Sequence, residues 1–326
     1  MGFEVACLRP ESDFLDIGVE PPKSLSIAYL SPTDAELPSV LSEVRAVVMP
    51  AVGPKLERSL FENSAIELVQ VTGAGVDRVD EAAMKELGIA VANVAGGSND
   101  AVAEYAVGSA LTLLRRTAWA DAEIREGNYS EIRSRMIADS LSGLTGLTVG
   151  VVGLGTIGRV VASAFKRMGG RIVFFDPAVE DADVPEELEA ERLTLADLLS
   201  NADVVTLHIP LIPATTGLIG ASELATMKPD SILINAARGG IVDEAALATA
   251  LSSGDLGGAA VDVYSEEPPS SSNPLFALEG DAARRTIFTP HIAGVTRQAW
   301  ANLFVVSWDN VVRVLQNGEA PLNRVY

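Results

Sequence analysis

The chain is poor in the side chains that build metal and disulfide sites. Cys7 is the only cysteine, and His208 and His291 are the only histidines among 326 residues. One thiol excludes an intramolecular disulfide framework. One thiol and two imidazoles are too few for a typical zinc site, and no EF-hand spacing occurs, so no metal is expected. Lysine is scarce too: positions 23, 55, 85, 166 and 228 hold all five, against nineteen arginines. With 44 acidic residues the net charge is −20. Such a surface repels nucleic acid and anionic lipid, so neither is an expected partner, and an anionic ligand must be held by a local exception. No run of 18 apolar residues occurs, which argues against a membrane span. The opening "MGFEVACLRPESD" has no basic stretch followed by a long apolar one. No signal peptide is expected, and the cytoplasm is the expected compartment.

What is present is a long alternation of β-rich runs and helical patterns. Residues 3–8, 25–30, 46–49, 66–72 and 89–94 read as strands, with short helices such as "DEAAMKELG" between several of them. A helical pattern rich in small residues covers 99–116, and 120–146 reads as helix then loop. A second series of strands follows at 147–152, 171–175, 203–208, 231–236, 258–262 and 286–289, with helices at 157–168, 243–253 and 296–316. This alternation predicts an α/β protein with parallel sheets, and the length predicts two domains.

The second series opens on "VGVVGLGTIGRVVASAF". Gly153, Gly155 and Gly158 stand in G-x-G-x-x-G spacing between an apolar strand and a helix, the context that makes this spacing informative. The first glycine permits a tight turn, the second lets backbone approach a pyrophosphate, and the third lets helix and strand pack closely. N–H groups at the helix start then face the phosphates. Asp176 ends the next strand, 18 residues after Gly158, where a carboxylate accepts hydrogen bonds from an adenosine ribose. It repels a 2′-phosphate and no arginine follows it immediately, so NAD(H) is expected in preference to NADP(H).

In open α/β sheets, ligands bind beyond the carboxyl ends of strands. Arg238 follows "SILINAA", Asp262 ends "GAAVD" with Glu267 shortly after it, and His291 follows "TIFTP". These are the parts that reduction of a 2-oxo acid needs. An imidazole titrates in the range useful for protonating the carbonyl oxygen. A carboxylate beside it favours imidazolium, and a guanidinium holds the substrate carboxylate. Taken singly, each residue has an equally good structural reading, as an ion pair, a solvated loop carboxylate or a turn. Beside a nucleotide loop, the three together favour catalysis. His208, in "LHIP", is expected to shape the cofactor pocket rather than move protons. No tyrosine is followed by lysine four residues on, so the Tyr-x-x-x-Lys device of short-chain dehydrogenases is absent.

At this point the chain resembles the D-isomer-specific 2-hydroxyacid dehydrogenases over nearly its whole length. The resemblance is carried by "VTGAGVDRVD" (71–80), "NVAGGSNDAVAEYAV" (93–107), "GVVGLGTIGRVVA" (150–162), "LHIPLIPATTGLI" (207–219), "LINAARGGIVDEAAL" (233–247), "AVDVYSEEP" (260–268) and "TPHIAG" (289–294). It implies two Rossmann-like or flavodoxin-like domains with an active-site cleft between them. A discontinuous substrate-binding domain of 1–98 plus 291–326 and a dinucleotide-binding domain of 99–290 are expected. The family's catalytic arginine, acid and histidine fall on Arg238, Glu267 and His291. Asp262 would orient the nicotinamide amide. Thr156, Ile157, Pro210, Ala236, His291 and Gly294 would join the glycines, Asp176 and His208 around the cofactor. Backbone amides of Ala74 and Gly75, with Arg238 and His291, would hold the substrate. The segment around 99–140 implies a homodimer.

Two departures matter. Phosphoglycerate dehydrogenases of the family tend to carry a basic residue in the loop after the third strand, whereas "MPAVGP" has none, which disfavours a phosphorylated substrate. The chain stops soon after residue 316, so no C-terminal regulatory domain is expected. Tyr105 also stands where the family often has histidine, a difference given no mechanistic weight from sequence. Glu267, where formate dehydrogenases have glutamine, argues against formate. The expected function is reversible NAD-dependent reduction of a 2-oxo acid to a D-2-hydroxy acid. The alternatives are an NADH-sensing corepressor of the same fold, disfavoured by the lack of extended tails, and a phosphite dehydrogenase, which needs more cationic help near the cleft.

Overall fold

A computed structural model describes residues 2–326. The chain divides into two compact units, Met1–Ser98 with Val295–Tyr326, and Asn99–Gly294. Residues 291–294 thus group with the second unit rather than with the C-terminal segment, because the amides of Ile292 and Ala293 are tied to the Asp262 carboxylate.

In the first unit, strands β1 (Val5–Cys7), β2 (Ile27–Tyr29), β3 (Ala46–Met49), β4 (Leu68–Val71) and β5 (Ala90–Ala92) form one sheet in the order β2-β1-β3-β4-β5. Every pairing is parallel. This is the flavodoxin-like order. Its central strands β3 and β4 are buried at every residue, as a sheet covered on both faces requires. Helices α1 (Glu11–Leu15), α2 (Leu37–Leu41) and α3 (Glu81–Leu87) connect the strands. The signals for α3 are local: the Asp80 side chain accepts from the Ala83 N–H, and Gly88 closes the helix at φ 71°. The C-terminal helix Arg297–Leu315 returns to this unit. Its buried Leu303, Phe304, Trp308, Val311 and Leu315 recur at helical spacing and join the cluster around Phe14 and the sheet. Phe14 meets the rings of Phe304 and Trp308 at 4.5 and 5.3 Å.

The second unit opens with α4 (Asn99–Leu114), α5 (Thr117–Arg125) and α6 (Tyr129–Ala138). Its sheet holds β6 (Thr148–Val152), β7 (Arg171–Phe175), β8 (Glu191–Arg192), β9 (Val204–Leu207), β10 (Ile232–Asn235), β11 (Gly258–Val261) and β12 (Thr286–Phe288). The order is β12-β11-β10-β9-β6-β7-β8, all parallel. This is the doubly wound dinucleotide-binding order with one further strand, and it reverses direction between β6 and β9. Helices α7 (Thr156–Arg167), α8 (Leu195–Asn201), α9 (Ala221–Thr226), α10 (Glu244–Ser253) and α11 (Gly280–Arg284) link the strands. Ala103, Ala106 and Ala110 give α4 a narrow face, on which it packs against α7 and β10.

Strand β8 has no counterpart in the sequence reading. It is two residues long and polar, with no alternation to betray it. Arg192 explains its place. The guanidinium donates to the carbonyls of Asp176 and Val179 and to Asp181, and lies 4.8 Å from the Phe174 ring centroid. It folds the loop after β7 around itself. No helix among the described residues is long and apolar enough to cross a membrane.

Candidate active site

The glycine loop sits at the point where the strand order reverses. Gly153 ends β6 with φ +93°, and a Cβ there would lie 2.5 Å from the His208 carbonyl oxygen at the end of β9. A Cβ on Gly158 would lie 2.0 Å from the Gly153 carbonyl oxygen, so the first turn of α7 rests directly on the loop. A Cβ on Gly155 would meet nothing within 4 Å. Two glycines are therefore required by packing, while the third leaves open space at a helix start. That is the cradle a pyrophosphate needs. Asp176 lies beside it: one carboxylate oxygen accepts from the Leu154 N–H at 2.8 Å and the other from the Ala178 N–H at 2.8 Å. The imidazole of His208 bonds the Thr206 hydroxyl at 2.8 Å, and burial lowers its pKa to about 3. It is neutral at physiological pH.

Three adjacent strand ends carry the ionisable groups. Arg238 follows β10, Asp262 and Glu267 follow β11, and His291 follows β12. His291 Nδ1 and Glu267 Oε2 are 2.8 Å apart. A carboxylate only accepts, so Nδ1 carries the proton and Nε2 is left for chemistry. The other Glu267 oxygen accepts from the Tyr264 N–H at 3.0 Å. Burial pushes the Glu267 carboxyl upward. The bond from His291, the Tyr264 N–H and the charges of His291 and Arg238 together push it further down, and the net shift is below the usual carboxylate range.

Arg238 is delivered by two devices. Asn235 accepts from the Ala237 N–H and donates to the Arg238 carbonyl, while an Arg238 N–H reaches the Ala237 carbonyl at 2.7 Å. Gly239 then lets this turn lie against the β11 loop: a Cβ would stand 1.7 Å from the Tyr264 carbonyl oxygen. The "RGG" that reads in sequence as a simple turn is a close approach of two backbones.

His291 has φ 54°, the left-handed region, which costs a non-glycine residue about 1–2 kcal/mol. Asp262 holds it there. The Asp262 carbonyl accepts from the His291 N–H, and its carboxylate from the amides of Ile292 and Ala293, each at 2.8 Å. Bonds to a charged group contribute about 1.5–3 kcal/mol each, enough to offset the strain. Asp262 has no accessible surface.

The first unit carries the expected substrate amides. Ala74 and Gly75 lie just beyond β4, where Asn93 Nδ2 donates to the Ala74 carbonyl at 2.6 Å. The loop "MPAVGP" has no basic residue of its own, yet a guanidinium fills it. Arg78 donates to the carbonyls of Pro50, Val52 and Pro54 at 2.8, 3.3 and 2.8 Å. Burial, with the nearby charge of Arg9, lowers its pKa to about 10. The sequence reading missed this residue. Its one signal was a basic side chain inside the "GAGVDR" motif.

Residues 107–293 match the family model for the D-isomer specific 2-hydroxyacid dehydrogenase, NAD binding domain. The chain belongs to the D-isomer specific 2-hydroxyacid dehydrogenase family. It is 40% identical to the (S)-sulfolactate dehydrogenase of Chromohalobacter salexigens over 244 residues, 74% of this chain and 75% of that one. It is 36% identical to the D-3-phosphoglycerate dehydrogenase of Archaeoglobus fulgidus over 249 residues, 76% of this chain and 45% of the relative. The chain spans about half the length of the phosphoglycerate dehydrogenases it matches. Among solved structures, it is similar to the NAD-dependent formate dehydrogenase of Staphylococcus aureus in complex with NAD. The TM-score is 0.81 and the identity 26%, covering 99% of this chain and 98% of that one.

Proposed function

We propose that this protein is an NAD-dependent dehydrogenase that interconverts a 2-oxo acid and a D-2-hydroxy acid, with His291 as general acid and base. The observation that carries the reading is the 2.8 Å pairing of His291 with Glu267, at strand ends of the unit that also bears the glycine loop. Gly153, Gly155, Thr156, Ile157 and Gly158 would hold the pyrophosphate. Asp176 would bind the adenosine ribose, while His208, Pro210, Ala236, Asp262, His291 and Gly294 line the rest of the cofactor site. Asp176 supports NAD(H) over NADP(H), since its carboxylate is fixed by two backbone amides at the ribose position. When bound, the reduced nicotinamide supplies hydride to the substrate carbonyl carbon.

The chain's own part is the proton and the binding. Nε2 of His291 gives its proton to the carbonyl oxygen, and in the oxidative direction takes it back. Arg238 pairs with the substrate carboxylate and polarises the carbonyl. The "MPAVGP" loop after β3 carries no basic residue of its own, which supports an unphosphorylated 2-oxo acid. A homodimer is supported by a groove of about 870 Å³ between α4 and α7, lined by Ala103, Val107, Gly108, Leu111, Val160 and Ala164. Val107, Leu111 and Val160 in this groove sit among Asp100, Glu104, Arg159 and Arg167, a mixed apolar and charged lining that suits contact with a second copy.

The proton assignment is tested through pH. The lowered Glu267 carboxyl is ionised at neutral pH and favours the protonated ring. By linkage, its contribution to stability is present above the unfolded carboxyl value of about 4.3 and is lost as pH falls through the folded one. Reduction needs the protonated ring, so its rate fades on the alkaline side. Glu267→Gln removes the partner and should move that limb to lower pH. The measurement is kcat for NADH-dependent reduction against pH. A limb that stays in place would remove Glu267 from this role.

A further inference from the structure

Tyr105 and Thr289 complete a hydrogen-bonded chain that ends on the amides of Ile292 and Ala293, just after His291. The Tyr105 hydroxyl and Thr289 Oγ1 are 2.7 Å apart. Thr289 Oγ1 donates to Asp262 Oδ1 at 2.6 Å. The same Oδ1 accepts from the Ile292 N–H, and Oδ2 from the Ala293 N–H, both at 2.8 Å. A threonine hydroxyl has one proton. Since that proton goes to Asp262, the Tyr105 hydroxyl is the donor to Thr289, and the chain runs in one direction from α4 to the carboxylate. Tyr264 fixes the Thr289 backbone as well, its hydroxyl donating to the Thr289 carbonyl at 3.1 Å.

We propose that Tyr105 and Thr289 are positioning residues of the reaction: acting through Asp262, they hold His291 in the left-handed conformation that turns its ring toward Glu267. This rests on the dehydrogenase reading above. The physical reason is the freedom of the Asp262 side chain. It has no accessible surface, so no water replaces a lost donor. With the Thr289 hydroxyl in place, Oδ1 is held by a donor that is independent of the two amides the carboxylate fixes. Without it, only the two amides it is meant to fix still hold it. The left-handed turn at His291 then relaxes toward ordinary geometry and carries the ring with it. The Tyr105 hydroxyl sets the direction of the Thr289 hydroxyl by occupying its acceptor side. The tyrosine at the position where the family often has histidine thereby gains a mechanical role.

The test uses substitutions that delete hydroxyls and keep volume, in the full chain. Tyr105→Phe should lower kcat roughly tenfold with the KM for NADH unchanged, because the loss is one of alignment. Thr289→Val should do the same or more, and Thr289→Ser should restore activity. The double substitution should be no worse than Thr289→Val alone, since the two hydroxyls act in series. Amide hydrogen exchange at Ile292 and Ala293 should quicken in Tyr105→Phe and Thr289→Val, while exchange in β6 and α7 stays as in the parent. Unchanged exchange at Ile292 and Ala293, quickening across the whole unit, or additive losses in the double substitution would each overturn the proposal. Exchange is measured without turnover, so the positioning chain is judged separately even if no 2-oxo acid is reduced.

Discussion

His291→Ala is expected to lower kcat for reduction of a 2-oxo acid by about 10²–10⁴-fold, the usual contribution of a positioned general acid. NADH should still bind, because the glycine loop and Asp176 lie on other strand ends. The left-handed backbone at His291 complicates the alanine result, since alanine resists φ 54°. His291→Asn separates the two effects. Asparagine adopts this region readily, so the backbone clamp on Asp262 survives while the titrating ring is gone. Both variants should lose activity to a similar extent. Full activity in His291→Asn would mean that the site depends on the turn and not on the imidazole. Steady-state kinetics with NADH fluorescence titration measures both quantities.

Gly239→Ala carries the second large effect, and it is a steric one. The added Cβ would stand 1.7 Å from the Tyr264 carbonyl oxygen, 2.0 Å from its carbon and 2.6 Å from the Ser265 nitrogen. All three are backbone atoms, so no side-chain rotation relieves the clash. The turn bearing Arg238 must move away from the β11 loop bearing Glu267. A displacement of about 1 Å at an active site costs on the order of a hundredfold in rate. Overpacking adds about 1–3 kcal/mol of destabilisation. Kinetics and a urea midpoint read the two consequences. Gly143→Ala is the control, since its Cβ would meet nothing within 4 Å, and it should be close to neutral. Parent-like kinetics in Gly239→Ala would show that the Arg238 turn need not lie where it does.

The residues that announced themselves in sequence are those whose reason is local. The strand β6 is five apolar-environment residues, Thr148–Val152, followed at once by the glycines, and strand, turn and helix all follow from that stretch. Arg238 and His291 were legible because each closely follows an apolar run, and Glu267 because it lies shortly after one, and parallel sheets place such ends on one edge. What was not legible depends on contacts between distant parts of the chain. Tyr105 and Thr289 are 184 residues apart, and nothing in the helical pattern of α4 marks one hydroxyl as special. Arg78 reads as an ordinary arginine after a glycine motif, and only the fold brings it inside the Pro50–Pro54 loop. Arg192 is hidden for a further reason: its strand is too short to have a pattern. The close approach at Gly239 belongs to the same group, because a glycine required by a neighbouring strand looks like one required by a turn.

That this chain reduces 2-oxo acids is tested most directly by following NADH oxidation with a panel of them. The panel should span glyoxylate, hydroxypyruvate, pyruvate and bulkier branched or aryl 2-oxo acids, with NADPH as the cofactor control. The expected result is NADH consumption with at least one acid, a D-2-hydroxy acid as product, and slower turnover with NADPH. NADH that binds but is not oxidised by any of these acids would contradict the assignment of Arg238, Glu267 and His291 to hydride-transfer chemistry, and would favour a protein that senses the cofactor instead.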